Sequence, residues 1–245
     1  MKKKTILVAA IAVMLVAALV VGGTLAYFTD KSEVKDNTFT VGNVAIDLKE
    51  EFVPDQKLIP GQDIQKKVTV ESTGSEAAYV RVHIAIPSDL NDGDPRQDAS
   101  KNLLHFNFDS ASVLAGQWSW KSVMSDGSGY DTKDWNFYQT KIDGKDYDVY
   151  VVTYRTALNK GETTQSAAMS KVYLDRSAQA TANADGSVTY TDVNGNEATY
   201  SNENQPQIKV VAEAAQAQGF SNAYAALNTA FGTPGAEGYV SPFSK

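Results

Sequence analysis

The sequence predicts an all-β protein: an antiparallel, jelly-roll-like β-sandwich with one short helix towards the C-terminal end and loop or hairpin insertions. Three observations predict it. Apolar residues recur at period two in several runs, tight-turn residues punctuate those runs, and one late segment carries a helical stripe. No longer repeat emerges, which sets aside a solenoid or a propeller. Many strands with turns and a single helix then read as a sandwich of jelly-roll type.

Along the chain, Lys2, Lys3 and Lys4 precede an uncharged apolar run, Ile6 to Val21, which breaks at Gly22-Gly23-Thr24-Leu25-Ala26. A basic head, an apolar middle and a small-residue exit form a secretory signal peptide over residues 1–26. The run is slightly long for the apolar part of such a leader and slightly short for a comfortable membrane span. Thr24 and Ala26 place small side chains before a cut at Tyr27; an uncleaved N-terminal anchor is the alternative.

Val44, Ile46 and Leu48 alternate within Phe39–Leu48 as a half-buried strand does. Ile59-Pro60-Gly61-Gln62 predicts a tight turn, because proline presets φ and glycine supplies positive φ after it. Val68 and Val70 alternate next, and Thr73-Gly74-Ser75 punctuates. The clearest strand is Ala78 to Ile86, with Val80, Val82, Ile84 and Ile86 towards the core. Tyr79, Arg81, His83 and Ala85 face the other way, wet or against another surface, and Pro87 ends the strand.

Residues 88–100 predict a polar loop, and shorter strands are expected at Leu104–Phe108 and Trp135–Thr140. Asp146–Leu158 is a long strand closed by the Asn159-Lys160-Gly161-Glu162 turn. Ser187–Val193 and Asn196–Tyr200 predict a hairpin around Asn194-Gly195, a pair with type I′ preference. Ile208–Ala214 is one more strand. Phe220, Tyr224, Leu227 and Phe231 form the helical stripe, with Ser221 as N-cap and Gly232 as stop. The simplest reading docks that stripe on the sandwich. Residues 39–245 are thus expected to form one β-sandwich domain, with insertions at about 87–135 and 176–205.

The chain carries a net charge of −7, and its leader holds basic residues but no acids, so the mature part is more acidic still. That excludes the concentrated Lys and Arg a nucleic-acid ligand requires. There are no cysteines, hence no disulfides, thiol nucleophile or thiolate metal site. A disulfide-free exported protein fits a Gram-positive envelope. The C-terminus ends Val240-Ser241-Pro242-Phe243-Ser244-Lys245 without a second apolar run, so the mature protein is expected to be released or held by neighbours.

No catalytic constellation stands out. His83 and His105 are the two histidines, and no His-Glu-x-x-His brings two ligands onto one helix face. They could meet in space with a carboxylate, though ordinary packing or surface roles suit them better. Ser128 lacks the Gly-x-Ser-x-Gly elbow of a hydrolase. The Asn91-Asp92-Gly93-Asp94 and Asp126–Asp131 loops do not fit calcium-loop spacing and read as solvated. Trp118, Trp120 and Trp135 could form a sugar-stacking platform but read more simply as core or rim. Neither a catalytic group, a metal site nor a cofactor is expected.

The junction Gly23-Thr24-Leu25-Ala26-Tyr27-Phe28-Thr29-Asp30, followed by Asn37-Thr38-Phe39-Thr40-Val41-Gly42-Asn43-Val44, resembles the start of the TasA/camelysin family. These are Gram-positive exported proteins whose leaders are cut by a specialised signal peptidase. Ile59–Gln62 with Lys66–Val70, Thr73-Gly74-Ser75 with Tyr79–Val82, and Val210–Phe220 with the short helix are similar too. The resemblance covers roughly residues 1–86 and 205–232 and is weak between them.

The resemblance implies a secreted, non-enzymatic subunit that polymerises head-to-tail into biofilm-matrix or cell-surface fibres. One subunit's mature N-terminal segment would complete the sheet of the next by strand addition. On this chain the donor and linker are residues 27–38, running from Tyr27 to about Phe39. Phe28 anchors the tip, Phe39 lies where the domain begins, and Asp30, Lys31, Glu33, Lys35 and Asp36 keep the stretch solvated. The implied partners are copies of the chain, the signal peptidase that cuts between Ala26 and Tyr27, and an accessory protein that nucleates or anchors fibres. The family also carries a metal-dependent endopeptidase label through camelysin. That activity, or a monomeric adhesin or glycan-binding module using the tryptophans, stands as the alternative.

Overall fold

Period-two alternation resolves into two facing antiparallel sheets. The computed structural model describes residues 29–31, 44–53, 56–91, 102–106, 117–119, 124–125, 129–130 and 136–244. The larger sheet runs β1 (Thr29–Lys31), β15 (Lys209–Gln216), β4 (Ala78–Pro87), β10 (Lys145–Tyr154) and β6 (Trp118–Ser119), with β9 (Phe137–Ile142) also pairing β10. The smaller runs β2 (Ile46–Phe52), β3 (Ile64–Ser72), β11 (Met169–Leu174) and β5 (Leu104–Phe106). The chain changes sheet between β1 and β2, β3 and β4, β4 and β5, β5 and β6, β10 and β11, and on returning to β15. This is the criss-cross of a jelly-roll-like sandwich. A small β7–β8 hairpin (Met124–Ser125, Gly129–Tyr130) completes the described strands before β9.

Between the sheets, Val80, Val82, Ile84 and Ile86 of β4 have no exposed surface, and Tyr150, Val152 and Tyr154 of β10 lie beside them. The smaller sheet supplies Val68, Val70, Met169, Val172 and Leu174. Each such aliphatic side chain contributes about 1.5–3 kcal/mol on burial. The predicted turns form: Gln62 N–H donates to Ile59 O at 3.0 Å with Gly61 at φ 74°, and Glu162 N–H to Asn159 O at 3.0 Å with Gly161 at 79°.

The second face of β4 is not wet. It lies under a third layer formed by helix α1 (Ala223–Phe231) and the segment that follows it. Ala215 on β15 meets Ala223, Ala226 and Leu227 of α1, small side chains that let helix and sheet approach closely. Tyr224 Oη donates to Ser119 Oγ at 3.0 Å, tying α1 to β6. Beyond α1, Tyr239 and Phe243 pack on Tyr138, Tyr147 and Val149. Gly235 passes so close to β9 that a Cβ there would sit 2.9 Å from Phe137 O. Thus β4 and β10 are buried on both sides, which is why Val149 and Val151 on the face away from the main core are fully enclosed.

Several details depart from the sequence expectation. α1 is capped by Asn222, whose Oδ1 accepts from Ala225 N–H at 2.9 Å, rather than by Ser221. β9 and β10 form a hairpin across Asp143-Gly144, both at positive φ (52° and 79°), the type I′ turn that had been expected at Asn194-Gly195. At Asn194-Gly195 only Gly195 has positive φ, 86°. Gly195 N–H donates to Asp192 O at 3.2 Å, and Asp192 N–H to Asn196 O at 3.1 Å. That is a type I turn closed by a left-handed glycine. The hairpin there gains a third strand: β12 (Gln179–Ala182), β13 (Val188–Thr191) and β14 (Glu197–Tyr200) form their own sheet. β11 was not anticipated at all.

Candidate functional site

Sheet edges are where a β-protein can accept another strand, because one row of backbone donors and acceptors there lacks a partner. At one edge of the larger sheet lies β1, paired to β15, which would be the edge strand without it. Thr29 pairs with Ala215, Asp30 with Ala214 and Lys31 with Glu213, antiparallel. The described part of the expected donor segment therefore sits as a strand on the sheet of its own chain. Ala26, Tyr27, Phe28 and Phe39 lie outside the described residues. The smaller sheet has its own edge in β2, which among the described residues pairs only with β3 and comes close to β15 across the sandwich. β2 is charged: Lys49, Glu50 and Glu51 bridge to Glu71, Lys66 and Lys67 on β3, and Phe52 remains 45% exposed.

β15 itself is fixed from behind. Its eight residues pair with β4 from Lys209↔Ala85 to Gln216↔Ala78. Glu213, the partner of Lys31 in register, points to the face under α1 and is fully buried. Its Oε2 receives Arg81 Nε at 2.7 Å and Nη2 at 2.6 Å, and meets His83 Nε2 at 3.1 Å. Arg81 donates onward to Asn228 Oδ1 (3.0 Å) and Gly232 O (3.2 Å), satisfying the C-terminal end of α1. Its guanidinium lies between the rings of Phe231 and Tyr239. His83 Nδ1 meets Tyr138 Oη at 3.2 Å, which in turn meets Ser241 Oγ at 3.1 Å. Burial first, and the Glu213 charge with it, push the Tyr138 phenol above its ordinary range despite the hydrogen bond to Ser241. One connected network thus joins β4, β15, β9, α1 and the C-terminal segment.

The histidines do not come together. His83 is enclosed on the outer face of the larger sheet, whereas His105 sits on β5 of the smaller one. His105 Nε2 meets Asp175 Oδ2 at 2.9 Å, and its ring stacks on Tyr173 at 5.0 Å. Burial opposes the charged form of Asp175. Hydrogen bonds from the Ser177 hydroxyl and N–H, then from His105, outweigh it and hold the carboxyl below its ordinary range. Among the described residues no group of three or more His, Cys, Asp or Glu is placed to hold a metal ion. A catalytic zinc needs three protein ligands and an open position. His83, walled in by Glu213, Arg81 and Tyr138, offers neither, so the described residues do not fit that ion.

Trp118 is 1% exposed and donates Nε1–H to Ser166 O at 3.0 Å, so it offers no face to a sugar. Trp120, Trp135, Ser128 and the Asp92–Asp94 and Asp126–Asp131 stretches lie wholly or partly outside the described residues. The sequence reading missed Arg81 and Glu213 as a pair. The available signal was a lone glutamate inside Val210-Val211-Ala212-Glu213-Ala214-Ala215 and a lone arginine inside a valine-rich strand. A charge flanked on both sides by core residues needs a buried partner.

Residues 1–104 match the family model described as camelysin metallo-endopeptidase, which bears out the TasA/camelysin resemblance over that part of the chain. No curated protein matches the chain.

Proposed function

From a chain whose first 104 residues match the camelysin family, we propose an exported structural subunit that assembles by strand addition into extracellular matrix or cell-surface fibres. The single observation that carries this reading is the pairing of Thr29–Lys31 with β15. Antiparallel backbone pairing is indifferent to which molecule supplies the strand. When β1 leaves its own sheet and a neighbour's β1 takes the same register, the ladder bonds to Glu213, Ala214 and Ala215 are lost and regained alike. The balance between the two states is then set by linker length and subunit concentration. The contact joins different surfaces on successive copies, so it builds a filament rather than a closed dimer.

Cleavage after Ala26 by a signal peptidase frees the strand in this scheme, and an accessory protein nucleates or anchors the fibre. The acidic surface, more negative than the −7 of the whole chain once the basic leader is removed, keeps free subunits apart until the edge contact forms. The family description also favours a metal-dependent endopeptidase. Against that second reading stands the engagement of both histidines in separate, filled environments.

The test is negative-stain electron microscopy, with column sizing, of protein starting at Tyr27 and of the same protein lacking Tyr27–Asp36. Filaments from the first and a folded β monomer from the second are expected. Filaments from the truncated protein would sink strand addition. Metal-dependent proteolysis by a persistent monomer would favour the peptidase.

A further inference from the structure

We propose that Asn194 is a site of spontaneous deamidation, held back by the side chain of Asp192. Asn194-Gly195 is the one Asn-Gly pair in the chain, and both residues are exposed at the tip of the β13–β14 hairpin, beside Val193 at 79% exposure. Glycine lacks a Cβ, so its amide nitrogen can approach the preceding side chain without hindrance. A Cβ at Gly195 would meet nothing within 4 Å, so this side of the tip is open to solvent.

The step needs only water and a solvent base. The Gly195 amide gives up its proton, and its nitrogen bonds to Cγ of Asn194. The Cγ–Nδ2 bond breaks, and ammonia leaves with the returned proton. The resulting five-membered succinimide takes up one water. Opening at Cγ gives aspartate; opening at the main-chain carbonyl gives isoaspartate, whose backbone is longer by one methylene. Nothing is oxidised or reduced.

The turn opposes this step at three atoms. Gly195 N–H is bound to Asp192 O at 3.2 Å, which keeps the nucleophile protonated and aimed away from Cγ. Asn194 N–H donates to Asp192 Oδ1 at 2.8 Å, fixing the residue that must rotate. Asn194 Nδ2, the leaving group, lies 3.5 Å from Asp192 Oδ2. The same carboxylate takes Asn196 N–H at 2.9 Å and Asn196 Nδ2 at 2.8 Å, so it is itself anchored. The reaction therefore proceeds from an opened tip, and its rate reports how often the tip opens. Each event adds a negative charge next to Asp192.

Peptide mass spectrometry of the purified protein after timed incubation in mildly alkaline buffer tests the idea. Exposed Asn202 and Asn204, followed by Glu203 and Gln205, are internal references. Asn194 should convert first and yield both aspartate and isoaspartate. Asp192→Ala should speed it at least about fivefold, the factor one ordinary hydrogen bond is worth. Parent protein in urea should show a similar gain, which keeps the test decisive if that variant misfolds. Conversion of Asn194 no faster than that of Asn202 and Asn204, or a rate unmoved by both Asp192→Ala and urea, would overturn the proposal.

Discussion

Replacing Glu213 by glutamine preserves the shape of the side chain and removes its charge at the most enclosed point of the third layer. Arg81 and Glu213 are 1% and 0% exposed, and three donor atoms converge on one carboxylate oxygen. Removing one partner of a buried ion pair typically costs about 3–5 kcal/mol, because the other charge stays behind without water. Glutamine keeps a carbonyl acceptor, and Arg81 keeps Asn228 and Gly232, so the low end, about 3 kcal/mol, is expected. At roughly 2–4 °C per kcal/mol for a domain of this size, the unfolding midpoint should fall by about 6–12 °C. Circular-dichroism melts and urea titrations measure it. The Arg81→Met/Glu213→Leu double variant should cost clearly less than the sum of the single changes, since no orphaned charge remains. A Glu213→Gln loss below about 1 kcal/mol, the value of an exposed pair, or strict additivity in the double variant, would refute the claim that this network fixes β15 from behind.

Two further outcomes follow from local geometry. Gly235→Ala introduces a Cβ 2.9 Å from Phe137 O at a backbone φ of 76°, so it should destabilise by about 1–3 kcal/mol in urea titration. Gly144→Ala, with positive φ but open space around it, is its control: it carries the backbone strain alone, about 1–2 kcal/mol, and should cost less than Gly235→Ala. The Asp175 carboxyl is held below its ordinary value of 3.8, so its contribution is present above that value and lost as pH falls through the lower folded value. Melts of parent and Asp175→Asn should therefore differ at neutral pH and converge in strong acid; a constant gap would contradict the assignment.

Much of the sandwich was legible because strand faces differ in polarity. Val80, Val82, Ile84 and Ile86 announced β4, and Pro60-Gly61 the turn before β3, from local chemistry alone. β11 was hidden because its register shifts between Met169 and Lys171, so its buried residues Met169, Val172 and Leu174 break strict alternation. The second face of β4 was ambiguous because Arg81 and His83 look solvated until Glu213, far along the chain, is placed opposite them. Asn194-Gly195 was assigned the wrong turn because the Asp192 side chain, by binding the amides of Asn194 and Asn196, favours a different backbone solution. At the candidate edge, the resemblance pointed to the N-terminal segment, and only three-dimensional pairing revealed that β15 receives it. The outcome at Tyr27, Phe28 and Phe39 lies outside the described residues.

The order of strands in the larger sheet has a consequence for how the chain reaches its folded state. β4 lies between β10 and β15, and Arg81 and Glu213 are separated by 132 positions. A polypeptide emerging N-terminus first, from a ribosome or through a membrane pore, carries β4 into the open long before its second neighbour follows. The last ladder and the ion pair behind it can form only when nearly the whole chain has arrived. Such long-range closure folds slowly. In the exported subunit proposed above, that slowness would serve passage: a molecule that cannot finish its central sheet early stays threadable until its end is through.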